Sequence, residues 1–287
     1  NQLDPNVYEI SLVTNLGGVH EKRLPKHVKY EKIIKCRNHK LQTVLSKIVN
    51  KLPPRIYASL FLKGQYDLEI AYLEGRTTQQ VAAKKTAAPK IAFVHCDLSV
   101  KNLIAPLYKS TEDCLCAYRV FSQVCFVSEA SKQGFEKAVG VLENSRVIHN
   151  VIDYKGIHEK SNMPTTLRYK TSGWKLVSVG RLAEEKGFDR LLRIVSELEK
   201  EHPLELRIIG EGKERNKLEA LIRERSIQSV TLLGYQENPY PLLKQADLFV
   251  CSSLFEGYST AVTEAVGLGV PVLTTRCAGM DEILEQG

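Results

Sequence analysis

The chain has 287 residues, 43% of them hydrophobic, with a formal net charge of +7 and seven cysteines. That is enough apolar material for one large core or two ordinary ones, and no apolar run approaches the ~18 residues of a membrane-spanning helix. The polar opening Asn1-Gln2-Leu3-Asp4 has no signal-peptide pattern, and cysteines 36, 96, 114, 116, 125, 251 and 277 form no CxxC pairs, so reduced packing cysteines in a cytosolic setting are expected.

The charge is unevenly spread. Residues 1–170 carry 26 Lys and Arg against 15 Asp and Glu, a balance of +11, whereas residues 171–287 carry 14 against 18, a balance of −4. A solvated basic face accounts for such a half without any partner, while a split this sharp also fits a first half that faces something anionic. Nucleic acid is not the expected partner, because no recognition motif or aromatic-basic interleaving accompanies the charge.

In chain order, Leu3-Asp4-Pro5-Asn6 reads as the tail of a helix and a turn. Strands are expected at Tyr8–Val13, Leu68–Leu73, Ile91–His95, Val124–Val127 and Val147–Ile148. Residues 41–52 place Leu41, Val44, Leu45, Ile48, Val49 and Leu52 on one helical face that Pro53-Pro54 terminates. Residues 155–172 are polar, contain Pro164 and read as a linker.

The second half alternates regularly. Strands are expected at Lys175–Val179, Leu206–Ile209, Val230–Leu233, Leu248–Cys251 and Val270–Thr274, with helices over 188–200, 213–225, 240–245, 260–267 and 279–285. The helix from Phe188 shows an inner face of Leu191, Leu192, Val195 and Leu198. Short apolar strands separated by amphipathic helices predict parallel sheets covered on both faces. The expected architecture is α/β, with two Rossmann-like domains, 1–165 and 166–287, facing across a cleft into which strand ends aim their loops. Both ends are expected to be cut, the first strand missing and the last elements absent.

Two segments could carry chemistry. In Ser178-Val179-Gly180-Arg181-Leu182-Ala183-Glu184-Glu185-Lys186-Gly187 a strand runs into a cationic loop. A guanidinium fork and a mobile ammonium suit a diphosphate; equally, Arg181 and Lys186 could pair with Glu184 and Glu185 as surface salt bridges. In Ser252-Ser253-Leu254-Phe255-Glu256-Gly257-Tyr258-Ser259-Thr260-Ala261-Val262-Thr263-Glu264 a strand again runs through a polar loop into a helix. The amides near Ser259, Thr260 and Ala261 could meet an anion at the helix start. In the plainer reading, Ser259 or Thr260 is an ordinary cap and Glu256 and Glu264 are surface charges. On one straight helix, the eight-residue step from Glu256 to Glu264 would span about 12 Å, which favours two separate contacts over the closer acid/base pair of a glycosidase.

Gly210-Glu211-Gly212 reads as a tight turn and is no dinucleotide fingerprint. His95 closes an apolar strand and would be a satisfied structural residue or a substrate contact at the strand end. The histidines show no metal-ligand spacing, so no protein-held metal is expected.

Taken in order, Tyr66–Gly75, Ile91–Leu98, Phe126–Glu129, Ile148–Asp153, Val179–Gly187, Ile209–Gly212, Leu233–Tyr235, Gln245–Leu248 and Glu256–Glu264 resemble family-four retaining glycosyltransferases of the GT-B fold, above all bacterial enzymes of capsular and cell-surface polysaccharide synthesis. The resemblance implies a nucleotide-sugar donor carrying UDP or GDP, a saccharide or lipid-linked acceptor, no cofactor and no required metal. It implies that Arg181 and Lys186 hold the donor diphosphate with amides near Ser259, Thr260 and Ala261, that Glu256 contacts the donor sugar and Glu264 the ribose, that the main chain at Tyr235 borders the base, and that His95 lies beside the transferred sugar. The family's Gly-rich loop would lie upstream of Asn1 and its closing helices beyond Gly287. A nucleotide-sugar epimerase and a non-catalytic nucleotide-sugar-binding relative are the alternatives; a dehydrogenase lacks its fingerprint. A lipid-linked acceptor would make contact with an anionic membrane surface useful, through Lys22, Arg23, Lys26, Lys29, Lys32 and Lys35 and, less readily than packing on its own sheet, through the face of 41–52.

Overall fold

The computed structural model describes residues 3–18, 21–36, 38–100, 102 and 104–284. The last residue of the helix expected over 279–285 lies outside them. In chain order the elements are β1 (Ser11–Thr14), β2 (Lys29–Lys32), α1 (His39–Lys51), α2 (Pro54–Phe61), β3 (Glu69–Ala71), α3 (Arg76–Ala83), β4 (Lys90–Val94), α4 (Thr111–Arg119), β5 (Gln123–Phe126), α5 (Glu129–Ala138) and β6 (Ser145–Val147). There follow α6 (Tyr154–Ser161), β7 (Trp174–Val179), α7 (Phe188–Leu198), β8 (Leu204–Ile209), α8 (Arg215–Glu224), β9 (Val230–Gly234), α9 (Tyr240–Leu243), β10 (Leu248–Cys251), α10 (Thr260–Gly267), β11 (Val272–Thr274) and α11 (Met280–Leu284).

Among the described residues the strands form three sheets: β1-β2, β3-β4-β5-β6 and β11-β10-β7-β8-β9. The pairings β1/β2 and β3/β4 are parallel, as is every pairing in the five-stranded sheet. Two compact units are formed, one from Asn1–Phe93, Leu103–Val124 and Leu142–Asn144, the other from Val94–Asn102, Cys125–Val141 and Ser145–Gly287. The sequence-drawn boundary at 165/166 falls inside the second of these.

The five-stranded sheet shows why its residues are ordered as they are. Successive strand side chains point to opposite faces. Leu176, Leu206, Ile208 and Val250 therefore pack with Leu191, Leu192 and Val195 of α7 and Leu218 and Leu221 of α8. Their neighbours Val177, Ile209, Phe249 and Cys251 pack with Leu242 and Leu243 of α9, Val262 and Ala265 of α10, and Met280 and Ile283 of α11. Leu192, Leu206, Ile208, Leu243, Val262 and Ala265 are fully buried, each of the larger ones worth about 1.5–3 kcal/mol against exposure. Leu198 departs from the expected inner face and is 42% exposed. It borders an apolar cavity of ≈ 540 Å³ with Trp174, Ile194, Leu248 and Leu273, between α7 and the strands β7, β10 and β11.

Two further departures concern helices. Residues 154–161 are not linker: Asp153 caps α6, accepting a 3.0 Å bond from the Gly156 amide, and Ile157 and Ser161, four apart, are buried. Pro53-Pro54 ends α1 but also opens α2, because proline at the first helical turn lacks only an amide that would be unpaired anyway. The apolar stripe of α1 does not pack as expected either. Leu41, Val44 and Ile48 are 50%, 52% and 55% exposed, and only Leu45, Val49 and Leu52 are half-buried.

Candidate functional site

The order β11-β10-β7-β8-β9 reverses at β7. From β7 the chain steps outward to β8 and β9, then returns to lay β10 on the other side. Connections leaving the carboxyl ends of β7 and β10 diverge, and that divergence is where open α/β sheets bind ligands. The two loops at this point are residues 180–187 and 252–259, the two segments singled out by sequence.

The first loop is held by the neighbouring strand. The Gly180 amide donates to Ile209 O at 3.0 Å, and the Leu182 amide donates to Glu211 O at 2.9 Å, so the Gly210-Glu211-Gly212 turn braces it. A single 3-10 turn over Glu184–Lys186 ends at Gly187, whose φ of 59° is left-handed. A Cβ there would approach Ser252 O to 2.4 Å, so this position takes glycine for two reasons. The second loop is tied to the first: the Leu254 amide donates to Glu185 O at 2.7 Å, and Ser252 Oγ donates to Lys186 O at 2.8 Å.

Within this frame Arg181 pairs as the plainer reading expected, and Lys186 does not. Arg181 Nη2 lies 2.6 Å from Glu185 Oε1, with the arginine side chain 73% exposed. Burial works against the Glu185 carboxylate, but its own backbone amide and the Arg181 guanidinium outweigh it and hold its pKa below the usual value. An exposed i,i+4 pair contributes little to stability and leaves the guanidinium available to a ligand. Lys186 instead crosses to the other loop: its Nζ lies 2.5 Å from Glu256 Oε1, the side chains 22% and 13% exposed. Glu256 is therefore no surface charge.

Glu264 is not one either. It lies on α10, where it accepts a 3.1 Å hydrogen bond from Tyr240 Oη. Burial raises its carboxyl above the usual carboxylate value, against the opposing effect of Tyr240 and Lys160. Ser259 is the cap of α10, accepting from the Val262 amide at 3.5 Å, as the plainer reading expected. Capping and anion binding are compatible here, since the amides of Thr260 and Ala261 belong to the first turn, where no intrahelical acceptor exists. Tyr235 follows β9 at the same carboxyl edge of the sheet and is 49% exposed.

His95, at the end of β4, belongs to the same compact unit as these loops. Its carbonyl packs against Gly257, where a Cβ would approach to 1.8 Å, so only glycine admits this contact beside Glu256. Ser128 Oγ donates to Gly257 O at 2.7 Å, and the rings of His149 and Tyr258 stack at 4.9 Å. Sequence reasoning missed Tyr240, Ser128, Ser252 and Ser253; their partners lie 24 to 129 residues away, or within a loop whose path is set by such contacts. Among the described residues no group of three or more His, Cys, Asp or Glu is placed to hold a metal, and no helix is long and apolar enough to cross a membrane.

Comparison with known proteins converges on the same segment. Residues 160–287 match the family model described as Glycosyl transferases group 1. An uncharacterised glycosyltransferase of Methanocaldococcus jannaschii is 33% identical over 174 residues, 58% of this chain and 43% of the relative. The N-acetylgalactosamine-N,N'-diacetylbacillosaminyl-diphospho-undecaprenol 4-alpha-N-acetylgalactosaminyltransferase of Campylobacter jejuni is 33% identical over 130 residues, 45% of this chain and 34% of the relative. The matched stretches thus span less than half the length of either relative. Among solved structures, Anabaena HepE in complex with UDP and glucose superimposes with a TM-score of 0.68 at 18% identity, covering 95% of this chain and 74% of that one. Residues 160–287 are thus similar to group 1 glycosyl transferases, on a chain with the two-domain Rossmann-like fold of GT-B glycosyltransferases.

Proposed function

We propose that the protein to which this chain belongs transfers a sugar from a nucleotide-sugar donor to a saccharide or lipid-linked acceptor with retention of configuration, as a family-four enzyme of cell-surface polysaccharide synthesis. The observation that carries the reading is the Lys186–Glu256 pair beside Arg181 at the reversal of strand order. A cation for the diphosphate and a carboxylate for sugar hydroxyls stand side by side there, as a donor spanning both would require. HepE, with UDP and glucose bound, supports UDP as the first nucleotide to try, with GDP the alternative. The undecaprenol-linked substrate in the name of the Campylobacter relative supports a lipid-linked acceptor.

In this reading the glycosidic C–O bond breaks with its electron pair leaving on the diphosphate, where Arg181, Lys186 and the first-turn amides of α10 stabilise the developing charge. The acceptor hydroxyl attacks the same face and gives its proton to the departing phosphate oxygen. No metal enters this scheme. Lys186 has three N–H donors and can keep Glu256 while meeting phosphate. Glu264 accepts from the ribose hydroxyls, Tyr235 borders the base, and His95 stands beside the sugar. The exposed stripe of Leu41, Val44 and Ile48, flanked by Lys40, Lys47 and Lys51, supports peripheral contact with an anionic leaflet at the inner face of the membrane.

The test is a calorimetric titration with UDP, GDP and their sugars, followed by product analysis with and without acceptor. Saturable nucleotide binding that Lys186→Ala abolishes, and turnover that requires an acceptor, are the expected results. Conversion of donor in the absence of any acceptor would favour an epimerase, and binding without turnover the non-catalytic relative.

A further inference from the structure

The Lys186–Glu256 pair rests on a layer of small hydroxyl side chains, those of Ser252, Ser253 and Thr275. Ser253 is 2% exposed, and its Oγ donates to Glu256 Oε1 at 2.6 Å. That oxygen also receives Lys186 Nζ at 2.5 Å. Oε1 therefore has two strong donors, while Oε2 has no hydrogen-bond partner among the described residues. Ser253 is itself fixed from behind, its carbonyl accepting from Thr275 Oγ1. The preceding residue is clamped to the other loop, with Ser252 Oγ on Lys186 O at 2.8 Å and Arg190 Nη2 on Ser252 O at 2.9 Å.

We infer that Ser253, seated by Thr275, is a positioning residue for Glu256: it pins one carboxylate oxygen so that the other stays free for a hydroxyl of the donor sugar. The physical case rests on what each partner can do. Lys186 alone would hold Glu256 as a point charge, and an ammonium on a four-carbon stem imposes little direction. A buried hydroxyl with a fixed carbonyl imposes direction: Ser253 Oγ accepts the Cys251 thiol at 3.5 Å and so turns its own proton toward Glu256. A carboxylate pinned on one oxygen by a neutral and a charged donor loses its freedom to rotate. Specificity follows from that lost freedom, since a buried acceptor discriminates between hydroxyl arrangements only when its own position is set. A purely structural Ser253 would stabilise the fold and leave the preference of the site untouched.

This inference rests on the reading of Glu256 as the sugar contact, and the experiment separates the two. Wild type, Ser253→Ala, Ser253→Thr and Thr275→Val are titrated with UDP and with UDP-glucose, and unliganded crystal structures of the same variants locate the Glu256 carboxylate. Ser253→Ala should keep its affinity for UDP and lose about tenfold in affinity for the sugar nucleotide. Ser253→Thr, which retains the hydroxyl, should recover most of that loss, and Thr275→Val should fall between them. In the crystals Glu256 should leave Lys186 or occupy two rotamers in Ser253→Ala, do so in part in Thr275→Val, and stay in place in Ser253→Thr. Equal losses for UDP and UDP-glucose, or a Glu256 carboxylate unmoved in Ser253→Ala, overturn the inference. A wild-type protein that does not distinguish UDP-glucose from UDP sinks the reading of Glu256 instead, and the crystals then decide Ser253 by themselves. Should Ser253→Ala fail to fold, Thr275→Val carries the same two readouts.

Discussion

The five-stranded sheet and the basic helical segment near the N-terminus use similar amphipathic sequences in opposite ways. In the sheet, the stripe of α7 disappears against strands: Leu191, Leu192 and Val195 are 5%, 0% and 1% exposed. In α1, an equally clear stripe leaves Leu41, Val44 and Ile48 half in the open. Helical periodicity specifies that a face is apolar, not what will cover it. The sheet supplies the cover for α7 because β7 and β8, the strands flanking it in sequence, are paired neighbours. The consequence for function is a division of labour. A rigid, packed sheet holds two loops at its strand ends, while α1 keeps apolar surface available for something else.

The largest effect that sharpens this contrast is on stability. Leu192→Ala should cost about 2–5 kcal/mol, the range for emptying a fully buried leucine site. Ile48→Ala, more than half exposed, should cost about 0.5 kcal/mol or less. Chemical denaturation of the two variants measures both, and comparable losses would erase the distinction between the two helices.

Legibility from the sequence follows the same line. β10 and α10 were placed to the residue, because a short apolar strand and a serine cap at a small-residue helix start are local signals. Arg181–Glu185 was readable as an i,i+4 pair for the same reason. Lys186–Glu256 was not, since the partners lie seventy residues apart and meet only because β10 lies beside β7. The helix α6 was hidden by polarity: its cap and its two buried residues are sparse signals in a stretch rich in Lys and Glu. In the first half, β1 begins three residues later than the apolar pattern suggests, after a turn in which Asp4 Oδ1 accepts from the Asn6 amide.

Next in size are the effects on binding. Lys186→Ala should lower nucleoside-diphosphate affinity by about 1.5–3 kcal/mol, the scale of a charge-assisted hydrogen bond, in a protein that still folds because the sheet core is untouched. Arg181→Ala should act in the same direction by a similar amount, with no loss of stability from so exposed a pair. Glu256→Gln should leave bare nucleotide binding nearly intact and lower turnover, whereas Glu264→Gln should weaken nucleotide binding with or without a sugar. Titration calorimetry distinguishes these, and a Glu256→Gln protein unable to bind UDP or GDP would reverse the roles.

A pH series separates binding from stability at Glu264. Its carboxyl is raised by burial, so it takes up a proton at a higher pH than an unfolded glutamate does. As pH falls through that raised value, a ribose held as proposed would lose a charged acceptor and nucleotide affinity should drop. The folded state gains at the same site over the same interval, because protonation removes a buried charge, and this gain is complete once pH is below the unfolded value. Opposite slopes of affinity and stability that both flatten in Glu264→Gln are expected; parallel slopes would mean another group is titrating.

The smallest effect concerns α1. Replacing Leu41, Val44 and Ile48 by Ser should leave the melting temperature nearly unchanged and reduce sedimentation with anionic vesicles at low salt. Basic residues near an anionic leaflet contribute about 1 kcal/mol each and are screened by salt, so residual binding should vanish at high salt. Equal partitioning to neutral and anionic vesicles, or none to either, would leave the charge of this half as a solvated face.

The proposed nucleotide-sugar site lies at the reversal of strand order at β7 and β10, built from residues 180–187 and 252–264. Hydrogen exchange read by mass spectrometry, with and without saturating UDP or GDP, tests it most directly. Protection concentrated in those two segments, and absent in Lys186→Ala, is the expected result. Protection confined to other segments, or no protection with either nucleotide, would contradict it.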